Sequence, residues 1–284
     1  MAEFRPPDFP GTARLSPRVG RVLGLNPGLM TGPGTNTYLV GERRPILVDT
    51  GAGVPEYLPL LDRFLDAERL GAITRVVLTH RHGDHMGGVP DVRRLYPRVP
   101  VGKLVVNDPS LPVPMEPLAE GSVIRSEGVT LRALHTPGHA SDHLCYYLDE
   151  ERALFTGDLI LGGSTTVIPP DDGDLGDYMA SLHRLQSLDV RRIYPAHGPV
   201  IEDAPAKIQE YIDHRLMRER QILETLGDGL HTIPEMVARI YVDVSPALHH
   251  AAGMSVSSHL AKLKREGRVS EEVAPNAPSR WSPV

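Results

Sequence analysis

Residues 79–88 read Thr-His-Arg-His-Gly-Asp-His-Met-Gly-Gly and place His80, His82, Asp84 and His85 within six positions. A folded interior accommodates a lone histidine readily. Three imidazoles and a carboxylate this close would leave several buried polar groups competing for partners. A divalent cation resolves that competition, since neutral imidazole and ionised carboxylate are its ligands. The preceding segment, Arg75-Val-Val-Leu-Thr79, is β-branched and apolar and predicts a buried strand. Strand alternation would put His80 and His82 on one side, two residues apart. Asp84 and His85 follow a turn expected at Gly83 and would point at a second, adjacent cation. A solvated polar loop is the competing explanation.

The chain has 284 residues, 40% hydrophobic and 23% charged, enough for one large domain and a small one. Its 27 glycines and 27 prolines imply many turns between short strands. A formal charge of −6 supplies no general field for nucleic acid, although a local basic face is compatible with it. Cys145 is the sole cysteine, which excludes an intrachain disulfide and a multi-thiolate metal site. Residues 1–20 carry charges and prolines without a signal-type apolar run, and no stretch reaches 18 apolar residues. A cytoplasmic location without a membrane span is the expectation.

Taken in order, residues 1–34 read as turn-rich. A hairpin is expected from Asn36–Val40 and Pro45–Val48, ending in Asp49-Thr50-Gly51. Val54, Tyr57, Leu58, Leu61, Phe64 and Leu65 repeat at helical spacing. A short helix is expected over Val89–Tyr96, a strand over Val101–Val106, and no regular structure over 108–121. Ser122–Ala133 reads as a second hairpin, followed by Thr136-Pro-Gly-His139, strands Leu144–Leu148 and Ala153–Thr156, and Gly157-Asp158. Ile160–Gly176 is a long Gly/Pro/Asp-rich loop, after which Asp177 is expected to cap a helix. Arg192–Tyr194 then runs into Pro195-Ala-His197-Gly198. Beyond 204 come a long helix, a helix over Ile233–Val242 capped by Thr232, another over Ser255–Arg265 and a final hairpin, which is a winged-helix pattern. The expected domains are therefore 1–203, catalytic, and 204–284, winged-helix-like.

His139, Asp158 and His197 each end or follow a strand beside Gly or Pro. Loops at one sheet edge converge because adjacent strands lie about 5 Å apart. His80, His82 and His139 make a three-nitrogen site. Asp84, His85 and His197 make a second, with Asp158 bridging the two. Such a pair, about 3.5–4 Å apart, leaves coordination open for a hydroxide.

His80-x-His82-x-Asp84-His85, with His139, Asp158 and His197 in order, resembles the complete ligand set of the metallo-β-lactamase superfamily. Asp49 matches that family's first motif, whose carboxylate supports the ligands from behind. Gly34–Gly41, Thr136–His139 and the C-terminal winged helix resemble the lactamase-beta-2 branch, which includes endoribonucleases of single-stranded RNA and thioesterases acting on carrier-bound polyketides. The resemblance implies a four-layer αββα sandwich with a small winged-helix domain, and two zinc ions, with manganese or iron also suited to these donors. True zinc β-lactamases carry a cysteine or a non-bridging residue where this chain has Asp158, so β-lactamase or lactonase activity ranks low. Arg81 stands where that branch has an aromatic residue; it either reaches an anionic substrate group or lies in solvent.

The chemistry implied is attack by a metal-bridging hydroxide, with Asp84 taking the proton and His143 as an acid near the leaving group or, alternatively, a support behind the ligands. Asn36, Thr37, Thr165 and Thr166 are candidates for lining the substrate cleft. The remaining histidines read as structural or exposed. The leading function is hydrolysis of an ester or thioester, on a small-molecule or carrier-bound acyl substrate. The alternative is cleavage of single-stranded RNA, against which residues 204–284 carry 10 basic and 10 acidic side chains. A non-catalytic nucleic-acid binder would have lost ligands, and none is missing. The winged helix would then serve as a cleft wall or a homodimer contact.

Overall fold

The computed structural model describes residues 9–104, 114–273, 275 and 278–284. They form two compact units. The first takes the chain up to Thr136 together with Asp142–Ser164 and Asp189–Pro205; the second takes Pro137–Ser141, Thr165–Leu188 and Ala206–Val284.

The first unit is built on two sheets. In one, β1 (Thr12–Arg14), β2 (Val19–Leu23), β3 (Asn36–Val40) and β4 (Ile46–Val48) run antiparallel. It continues in parallel through β5 (Arg75–Val77), β6 (Val101–Leu104) and β7 (Glu116–Leu118). The other sheet contains β8 (Val123–Ser126), β9 (Val129–His135), β10 (Leu144–Leu148), β11 (Ala153–Gly157) and β12 (Arg192–Pro195), with only the β11–β12 pair parallel. Strand alternation divides the first sheet between two cores. Tyr38, Val40, Ile46, Val48 and Val77 pack against Leu131, Leu144, Tyr146, Phe155 and Tyr194 of the second sheet. Leu39, Leu47 and Val76 face the other way, onto α1 (Tyr57–Ala67) and α3 (Val89–Leu95) through Tyr57, Leu61, Phe64, Val89 and Val92. With both faces covered, β3 and β4 are buried throughout, and β4, Ile-Leu-Val, reads as an unbroken apolar run.

Several local expectations change. The turn-rich N-terminal region contributes β1, Thr-Ala-Arg, and β2, Val-Gly-Arg-Val-Leu, whose interspersed Gly and Arg leave no apolar run to mark them. β7 lies within the proline-rich segment expected to be irregular, while 105–113 falls outside the described residues. β5 stops at Val77 because the Thr79 N–H bonds the Asp49 carboxylate instead of a neighbouring strand. Gly83 opens a single helical turn, α2 (Gly83–Met86), with extended His82 at its cap.

The second unit holds α4 (Leu175–Gln186), all but the first two residues of α5 (Ala204–Gly227), α6 (Ile233–Ile240), α7 (His249–Arg265) and the hairpin β13 (Val269–Glu272)–β14 (Arg280–Pro283). Asp174, not Asp177, caps α4, its carboxylate accepting the Asp177 N–H. Thr232 and Glu235 form a reciprocal capping box on α6. Ile222, Leu226, Met236, Val256, Leu260 and Trp281 make a core of their own, the winged-helix arrangement. Among the described residues, no helix is long and apolar enough to cross a membrane.

His259 on α7 is 1% exposed, and neither ring nitrogen meets a hydrogen-bond partner among the described residues. Burial, reinforced by Arg215, Lys262, His214 and Arg218, pushes its pKa down to about 3; burial and the same arginines take His214 to about 4. Both are therefore neutral in the fold, while the unfolded chain binds protons below pH 6.5. Their contribution is complete above pH 6.5 and is lost as pH falls towards the folded values, at up to about 1.4 kcal/mol per pH unit for the buried His259 and less for His214, which solvent screens. Thermal midpoints between pH 7 and 4.5 should therefore fall less steeply for His259→Leu than for wild type; parallel curves would refute this.

Candidate metal centre

Four strand ends converge at one edge of the first unit. Asp49 follows β4, the histidine-rich loop follows β5, Asp158 follows β11 and His197 follows β12. β4 pairs in parallel with β5, and β11 with β12, so the carboxyl ends of each pair lie side by side. The two sheets are tied there by Leu144 N–H to Thr79 O, 2.7 Å, and by Tyr146 Oη to Leu78 O, 2.6 Å. Asn36 fixes the His197 loop: its amide donates to the carbonyls of Pro195 and Gly198 at 2.9 Å, and its backbone N–H to Ala196 O at 2.6 Å. Gly198 adopts φ +82°, and an added Cβ would sit 1.6 Å from the Gly162 carbonyl oxygen, so only glycine fits.

Asp49 organises the ligands from behind. It is 2% exposed and held at φ +59°, an uncommon conformation for a residue with a side chain. Its Oδ1 accepts the Thr79 N–H, and its Oδ2 accepts both the Thr79 hydroxyl and His85 Nδ1, all at 2.8 Å. His85 therefore keeps its lone pair on Nε2. The Thr79 hydroxyl, having donated its proton to Asp49, can accept from His80 Nδ1 at 3.0 Å, which orients His80 in the same way.

His85 Nε2 lies 3.4 Å from Asp84 Oδ2 and 3.4 Å from Asp158 Oδ1; His197 Nε2 lies 3.3 Å and 3.2 Å from the same two oxygens. These separations exceed a good N–H···O bond. They do match a tetrahedral cation: donors about 2.0–2.1 Å from zinc stand about 3.3–3.5 Å from each other. The donor atoms of Asp84, His85 and His197, and those of His80, His85 and Asp158, lie within 4.8 Å of one another. Burial alone would lower His197, yet Asp158 and Asp84 beside it raise its pKa to about 9; burial of His85 is likewise outweighed by Asp158, Asp49 and Asp84. Burial would raise Asp158, but His197 and His85 hold it well below the carboxylate range, and His85 with His197 does the same for Asp84. Such a cluster balances its carboxylates by protonating imidazoles or by taking a divalent cation, and the spacing suits the cation.

Other expected positions fall as follows. His80 is buried and His82 half-buried, their rings 4.5 Å apart, and Arg81 between them is exposed. His139 belongs to the second unit, where its Nδ1 bonds Val167 O at 2.7 Å. His143 is fully buried; its Nε2 accepts the Asp158 N–H at 3.2 Å, and its Nδ1 lies 3.0 Å from Thr136 Oγ1. Thr37 points towards the helices, donating to Val22 O and meeting Tyr57 Oη at 2.8 Å. Thr165 is exposed and Thr166 buried, both in the second unit. Sequence reasoning missed Thr35, whose hydroxyl donates to Asp84 Oδ2 at 3.1 Å, and Asn26, which bonds Thr35 through both its amide oxygen and nitrogen. Thr35 lies inside the Gly34–Gly41 motif, but nothing in its spacing marks it from Thr37.

Fold and site together define a metal-dependent hydrolase. Residues 30–197 match the metallo-beta-lactamase superfamily and residues 232–281 the beta-lactamase associated winged helix domain. The chain belongs to the metallo-beta-lactamase superfamily, with the αββα fold and winged helix expected from its motifs. The lactamase-like protein aptB of Emericella nidulans is 41% identical over 97% of this chain and 90% of its own length. The atrochrysone carboxyl ACP thioesterase of Claviceps purpurea is 43% identical over 83% of this chain and 76% of its own. A metallo-beta-lactamase family protein from Thermus thermophilus superposes with a TM-score of 0.79 over 95% of this chain and all of its own, at 24% identity. TTHA1623, solved in a di-iron-bound form, gives 0.53 at 29% identity over 65% of this chain and 95% of its own.

If Asp49 orients His85 and, through Thr79, His80, Asp49→Ala should weaken metal binding about 10–100-fold. Chelator competition on the folded variant measures this; unchanged affinity would rule the role out.

Proposed function

We propose that this chain is a dinuclear zinc hydrolase that cleaves a thioester of a carrier-bound acyl group. The observation that carries this is the coordinating spacing of Asp84, His85, Asp158 and His197. Its extension to thioesters is supported by relatives named as ACP thioesterases. His80, His82 and His139 would hold one cation, Asp84, His85 and His197 the other, with Asp158 shared. Bound there, two divalent cations supply a water acidic enough to react near neutral pH.

The chain's own residues do the rest. Asp84, kept ionised by His85 and His197 and steadied by the Thr35 hydroxyl, accepts the proton released during attack. His143 holds the backbone of Asp158 through its Nε2, a positioning role. The loop before Thr35 closes on itself through Gly28 and Gly32 and leaves Leu29 and Met30 at 69% and 50% exposure, an apolar tip suited to an acyl chain.

RNA cleavage is less well supported. Lys262, Lys264, Arg265 and Arg268 look basic in sequence. In the fold Lys262 pairs with Glu219 and Glu266, Lys264 with Glu271, Arg265 with Asp174 and Arg268 with Glu219. Cations already neutralised contribute little counterion release.

A metal-replete preparation tested on thioesters, lactones, β-lactams and a fluorogenic RNA should turn over thioesters best; RNA as the sole substrate would overturn the assignment. Asp84→Ala should cut kcat by at least about 10²–10⁴-fold with the thermal midpoint retained. Substituting both Leu29 and Met30 by Ala should raise KM for long apolar thioesters several-fold while sparing short ones, and equal KM values would dismiss the tip from binding.

A further inference from the structure

We propose that Arg215 of α5 and Ser258 of α7 are positioning residues for His139, acting through a clamp on three consecutive carbonyls. This rests on the assignment of His139 as a metal ligand, and everything in the clamp lies within the second unit.

Arg215 is 3% exposed and donates from Nη2 to Thr166 O at 2.6 Å. His139 Nδ1 bonds the next carbonyl, Val167 O, at 2.7 Å. Ser258, 7% exposed, places its hydroxyl 2.7 Å from the one after, Ile168 O. A carbonyl acceptor commits the His139 proton to Nδ1 and leaves the lone pair on Nε2, so the ring's aim follows the direction of the Val167 carbonyl. Two buried donors on either side fix that direction. Both come from helices that continue into the winged-helix core, at Ile222 and Leu226 of α5 and Leu260 and Leu263 of α7.

The turn carrying His139 is gripped by the same unit. Gly138 sits at φ +138°, and an added Cβ would lie 2.4 Å from Tyr178 Cα, so the turn rests directly on α4. Gly138 O accepts the Asp174 N–H and Pro137 O accepts the Ser181 hydroxyl, both at 2.8 Å. The Arg215 guanidinium stands 5.0 Å from the Tyr178 ring centroid, so Arg215 braces both the loop behind His139 and the helix beneath it. The winged-helix core thereby becomes part of the frame that aims His139.

The test uses the full-length protein loaded with cobalt or zinc, comparing Arg215→Met, Arg215→Lys, Ser258→Ala, the Arg215→Met/Ser258→Ala double variant and His139→Ala. His139→Ala should lose one metal equivalent. The double variant should bind one of its two equivalents about tenfold more weakly by chelator competition, as expected for supports behind a ligand. Its cobalt absorption spectrum should change while the thermal midpoint shows a folded protein, and Arg215→Lys should recover most of the affinity. If the double variant does not fold, Ser258→Ala, which removes one oxygen, carries the test with a smaller shift. If His139→Ala loses an equivalent but the folded variants match wild type in affinity and spectrum, the clamp is refuted and the ligand assignment stands. If His139→Ala binds both metals normally, the assignment falls and the clamp's role falls with it.

Discussion

The arrangement depends on one electrostatic constraint: two carboxylates and two imidazoles meet with donor atoms 3.2–3.4 Å apart, all buried except the half-buried Asp84. Ionised groups removed from solvent are costly unless compensated. Within the protein, the Thr35 hydroxyl compensates part of Asp84, and protonated imidazoles can balance the charge. A divalent cation achieves it at neutral pH and in the geometry already built. Asp49 adds a third carboxylate one layer back, and its left-handed backbone is the strain accepted to aim it at Thr79 and His85 together.

The scaffold meets this demand by layering. Two sheets share one apolar core, and the helices α1 and α3 cover the first sheet, so donors gather where strands stop. Short side-chain-to-backbone ties replace the ladder at that edge: Asp49 to Thr79, Asn36 to Pro195 and Gly198, His143 to Asp158. Each satisfies a backbone group that the end of a strand would otherwise leave unpaired. These ties also fix where the next ligand begins. The same residues thus close the sheets and open the site.

The second unit follows similar logic with different parts. Its α5 and α7 contribute apolar faces to a separate core and donate polar side chains to the loop 166–168. Its Lys262, Lys264, Arg265 and Arg268 each pair with a carboxylate of the same unit, which lowers the field this cluster offers a polyanion.

What the sequence determined by itself was the chemistry: which side chains can be ligands, that each stands beside a glycine, a proline or the end of an apolar run, and that strands alternate with helices before a winged helix. Those features are local, and spacing and periodicity encode them directly. The tertiary structure alone decided which groups support which. Thr35 on Asp84, Asn36 on the Pro195 and Gly198 carbonyls, His143 on the Asp158 backbone and Arg215 on the Thr166 carbonyl join residues 15 to 162 positions apart. Single polar residues at such separations leave no periodic trace, because their partners are set by how sheets and helices pack and not by neighbours along the chain.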